Sequence, residues 1–65
     1  MIRTEYTITG TYRARPGDPF VYSLEGKSTY AKPTGGGIAT GSTCYDIDTQ
    51  KVYKYDADAA AWIQQ

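Results

Sequence analysis

Four aspartates stand in two closely spaced pairs, Asp46 with Asp48 and Asp56 with Asp58, and hard oxygen donors at such spacing are what a calcium loop requires. Asp46-Ile47-Asp48 opens like one. Counted from Asp46, however, Lys51 and Ala57 hold the places where that loop needs its glycine and its bidentate glutamate. No metal is expected, and the aspartates read as turn caps and solvated side chains on the outer face of a hairpin. Residues 36–43, Gly-Gly-Ile-Ala-Thr-Gly-Ser-Thr, have the glycine spacing of a phosphate-binding loop, but Ser42 stands where the lysine should be. Without that charge, and without a helix to follow, nothing would hold a nucleotide. Cys44 is the single cysteine of a chain that has no histidine, so no ordinary base is present to form its thiolate and no Ser-His-Asp arrangement can be assembled. The expectation is a protein that is not an enzyme and takes no cofactor.

The aromatic residues are the conspicuous feature: Tyr6, Tyr12, Tyr22, Tyr30, Tyr45, Tyr53 and Tyr55, with Phe20 and Trp62. Tyrosine brings a large apolar area with a polar tip, which suits both the thin core of a tiny β domain and a contact surface. Strand alternation puts Tyr45 and Ile47 on one face, and Tyr53 and Tyr55 together on a partner strand. A cross-strand tyrosine cluster joined by Trp62 follows, serving as core, sugar platform or protein interface. Tyr45, Tyr53, Tyr55 and Trp62 are therefore the candidate interface residues, with Ile38 as an apolar anchor on the glycine-rich segment.

The elements that must position these residues are strands. From Ile2 the apolar side alternates through Thr4, Tyr6, Ile8, Gly10, Tyr12 and Ala14, the pattern of a half-buried strand, with Gly10 marking a bend or a bulge. Arg15-Pro16-Gly17-Asp18-Pro19 is a turn by its chemistry, and Phe20 to Glu25 returns as a second strand. Residues 27–42 carry Pro33 and Gly35, Gly36, Gly37 and Gly41, which removes any ladder or helical pattern and predicts a long loop or arm, with Lys32 to Ser42 mobile in an isolated subunit. Residues 43–56 read as a hairpin turning around Asp48 to Lys51. For the final stretch, a second turn leading to a short strand at Trp62 fits better than an alanine-rich helical turn. The fold class is all-β, a small antiparallel sheet or open barrel of about four to five short strands with a long Gly-rich arm. The whole chain, 1–65, is one β domain: 1–26 a first hairpin, 27–42 the arm, 43–65 the second hairpin and Trp strand.

A chain of 65 residues has one core, and such a core rarely supplies more than about 3 to 5 kcal/mol. With no second cysteine and no zinc ligands, association is the remaining source of stability. Seven basic residues balance seven acidic ones, leaving no single-sign field for nucleic acid and little repulsion between copies. The first residues have no apolar signal region and no run is long enough to span a bilayer, so the expectation is a soluble product with no membrane partner. The unpaired cysteine suits a reduced site of synthesis.

Residues 41–56, Gly-Ser-Thr-Cys-Tyr-Asp-Ile-Asp-Thr-Gln-Lys-Val-Tyr-Lys-Tyr-Asp, followed by Trp62, resemble a short hairpin module of tailed-bacteriophage and prophage structural proteins. In that module an Asp-Thr-Gly-Lys turn leads to a Tyr-x-Tyr-Asp strand and a closing tryptophan; here Gln50 replaces the glycine. The resemblance implies a small virion component, such as a head, neck, tail or fibre accessory protein, made in the bacterial host cytoplasm and present in symmetric multiple copies. Its partners would be itself and larger virion proteins. Two other functions compete from the residues alone: a monomeric glycan-binding or adhesin module using Tyr53, Tyr55 and Trp62, and a small regulator that binds a protein through a sheet edge.

Overall fold

A computed structural model of the chain describes residues 4–35 and 37–65; Ile2 and Arg3 of the first alternating run, and Gly36 of the phosphate-loop spacing, lie outside them. The described chain is all-β, with five strands in one sheet: β1 (Thr7–Tyr12), β2 (Val21–Gly26), β3 (Thr43–Asp46), β4 (Lys51–Asp56) and β5 (Ala61–Gln64), ordered in space as in sequence. The sheet is open and not a barrel, since β1 and β5 form its two edges. It is also mixed. β1–β2, β3–β4 and β4–β5 pair antiparallel, but β2 and β3 run parallel, which corrects the antiparallel expectation.

Parallel neighbours cannot be joined by a tight hairpin, because the chain must first return along the sheet. Residues 27–42 make that return across one face. Their Pro33 is buried and Ile38 is only 2% exposed within a cluster of Tyr6, Tyr22, Leu24, Cys44 and Tyr55. The segment expected to be a free arm is thus the second layer of the domain. Burying Ile38 alone contributes about 1.5 to 3 kcal/mol. Polar ties hold the rest: Trp62 Nε1 donates to Pro33 O at 2.7 Å, Ala39 N to Phe20 O at 2.9 Å, and Ser42 Oγ to Ala39 O at 2.8 Å while accepting from Tyr22 N at 3.0 Å.

Turns follow the chemistry of their residues. Asp18 N donates to Arg15 O at 3.1 Å, and Gly17 takes φ 92°, as the first turn requires. Both later hairpins close through four-residue turns, 47–50 and 57–60, whose last residues, Gln50 (φ 57°) and Ala60 (φ 51°), adopt the left-handed conformation. The alanine-rich stretch is therefore a turn followed by a strand. In β1 the register slips between Ile8 and Gly10, leaving Thr9 as the extra residue of a bulge. Alternation reverses there, so Tyr6 and Ile8 face the core while Tyr12 joins Val21 on the other side.

Candidate interaction surface

Cross-strand partners point to the same face of a sheet, so the register sorts the side chains into two sets. Leu24, Cys44 and Tyr53 share the face beneath the crossover, as do Tyr55 and Trp62. Glu25, Tyr45 and Val52 share the opposite face, and Ser23, Thr43, Lys54 and Ile63 form the next row along it. No segment of the described chain covers this second face. Val52 is 38% exposed, Ile63 50% and Ile47 50%, and with half-buried Tyr45 they make an apolar strip across β3, β4 and β5. A cleft of about 370 Å³ at its end is lined by Glu5, Thr7, Glu25, Lys27, Tyr30 and Ile47.

The predicted interface residues are divided by this arrangement. Tyr45 alone lies on the open face. Tyr55 is buried at 2% and packs its ring against Trp62 with centroids 5.0 Å apart; Tyr53 is half-buried under the Lys32 ammonium, 4.2 Å from its ring centroid; Ile38 is core. Of these four, Tyr55 and Ile38 belong to the core while Tyr53 and Trp62 pack half-buried against it, because the hairpin register sets Cys44, and not Tyr45, opposite Tyr53. A one-residue difference in register exchanges the faces of a strand. Of the three rings of a sugar platform, Tyr55 is buried and Tyr53 and Trp62 are half-buried.

The covered face holds one charged network that sequence reasoning missed. Asp46 is 1% exposed, and so is no outer-face side chain. Its Oδ1 accepts from Tyr6 Oη at 2.7 Å and its Oδ2 from Lys32 Nζ at 3.2 Å. Burial, and then the hydrogen bond to Asp46, push the Tyr6 phenol well above the ordinary tyrosine range; burial likewise pushes the adjacent Cys44 thiol up. A thiol so held is protonated and enclosed, the opposite of an activated nucleophile. Of the other aspartates, Asp48 caps the start of the crossover, accepting from Ser28 N at 2.9 Å and Ser28 Oγ at 2.7 Å, which lowers its pKa. Asp56 accepts from Asp58 N at 3.0 Å inside its own turn. Among the described residues no group of three or more Cys, Asp or Glu is placed to hold a metal ion. Comparison with family models, with curated proteins and with solved structures finds no match to the chain.

Proposed function

We propose that this chain is a non-enzymatic structural component of a bacteriophage virion, a head, neck, tail or fibre accessory protein acting through self-association and attachment to larger virion proteins. The observation that carries the interaction half of this reading is the open sheet face with its strip of Tyr45, Val52 and Ile63. A sheet with one apolar face covered and another exposed has half a sandwich. The virion half rests on the hairpin of residues 43–56 with Trp62, whose likeness to phage structural modules includes the turn at Gln50. There the left-handed φ of 57° is the conformation that the usual glycine of that module would adopt without strain. The buried thiol and the capping aspartates support a role without chemistry.

Mass spectrometry of purified particles, from a host that expresses the chain, tests the virion half. Its peptides are expected in the particle fraction at a fixed ratio to the major structural proteins. Recovery only from the soluble lysate would overturn the assignment.

A further inference from the structure

We infer that the open face is covered by the same face of a second copy, across a two-fold axis that runs along the strands between β3 and β4. This rests on the self-association proposed above and specifies its geometry.

Three observations lead to it. The first is the register. Tyr45 and Val52 are direct partners across β3 and β4, so a two-fold axis between them sets Tyr45 of each copy on Val52 of the other. That is the reciprocal contact an isologous interface demands. The second is the distribution of charge. Glu25 stands on β2, to one side of the axis, and Lys54 on β4, to the other; both are exposed. Rotation about that axis leaves each glutamate one strand and one row, roughly 8 Å, to the side of the lysine of the other copy, and with sheets about 10 Å apart these two long side chains can lean together, giving two equivalent ion pairs around the apolar centre. A chain with seven charges of each sign meets no net repulsion on pairing. The third is area. The extents of the molecule, 35 × 21 × 16 Å, bound any one of its faces at roughly 700 Å², so a second copy is large enough to cover the strip in an interface at or below the ~800 Å² per partner of a standard one. A partner of this size and shape covers the strip and leaves the crossover outermost on both sides.

Sedimentation equilibrium on the full chain and three variants tests the arrangement, with circular dichroism to verify folding; all three substituted residues are exposed. The wild type is expected to be a dimer. Val52→Asp should weaken it a hundredfold or more by setting a carboxylate against an apolar centre. Glu25→Lys and Lys54→Glu should each weaken it about tenfold, since each homodimer then opposes like charges. Mixing those two variants should restore wild-type affinity as a heterodimer, because both ion pairs become attractive again, one as in the wild type and the other with its signs exchanged. If the wild type dimerises and all variants do so equally well, this face is not the interface, although self-association stands. A mixture that stays dissociated would overturn the two-fold arrangement. A wild type that is monomeric at millimolar concentration would overturn both the arrangement and the self-association it refines.

Discussion

Two residues occupy backbone conformations that their side chains disfavour. Gln50 and Ala60 sit at φ 57° and 51°, each as the last residue of a four-residue turn. A side-chain-bearing residue in that region costs on the order of 1 kcal/mol. Gln50→Gly and Ala60→Gly are therefore expected to stabilise the domain, each raising Tm by about 4 to 8 °C per kcal/mol gained in a chain of this size. A calorimetric scan showing either variant less stable than the wild type would contradict the strain argument. The reverse holds for Lys32. Its ammonium neutralises Asp46 on the covered face and lies over the Tyr53 ring, so Lys32→Met leaves a carboxylate in the interior with only Tyr6 as partner. Removing one member of a buried pair costs on the order of 3 kcal/mol, most of what a core of this size supplies. Urea denaturation should show the variant only marginally stable, with its midpoint moved close to zero urea, and Lys32→Met with Asp46→Leu should recover much of the loss, because the uncompensated charge is gone.

The strands themselves were legible in the residues. Alternation located β1, β2 and the β3–β4 hairpin; Pro16 and Gly17 located the first turn; Gly10 announced the bulge. What alternation does not carry is the identity of the face. A strand tells which residues share a side, but only register and cover decide which side is inward. Thr9 reversed the first strand and moved Tyr12 outward, and the 47–50 turn separated Tyr45 from Tyr53. The parallel pairing of β2 with β3 was equally hidden, because glycine and proline in residues 27–42 mark the absence of regular structure and not the path taken. Pairing of Asp46 with Lys32 depended on that path, which is why the aspartate looked like a surface residue. One consequence concerns the tie between Tyr6, just before β1, and Asp46, at the end of β3. The folded chain keeps the Tyr6 phenol protonated where an exposed tyrosine ionises, near pH 10. Its contribution is complete below about pH 10 and is lost as the pH rises above it. Denaturation midpoints should therefore fall more steeply between about pH 10 and 11.5 for the wild type than for Tyr6→Phe. Equal slopes would mean that this phenol does not couple to folding.

At the scale of the whole molecule, a single parallel pair changes where the chain enters and leaves. Five strands joined only by hairpins would alternate in direction throughout, so the first would begin at one end of the sheet and the last would finish at the other. Because β2 and β3 run the same way, the count shifts by one. β1 starts and β5 finishes at the same end, on opposite edges, separated by four strand spacings or roughly 19 Å. The 15–18 and 57–60 turns sit together at the far end. Fluorescent proteins fused before Thr4 and after Gln65 should accordingly show strong energy transfer in the folded domain that collapses on denaturation, while weak transfer in the native state would contradict the direction of β5. The domain is thus built like a tab: whatever is joined to both ends of the chain meets it from one side, and the opposite rim, with its two turns, projects outward.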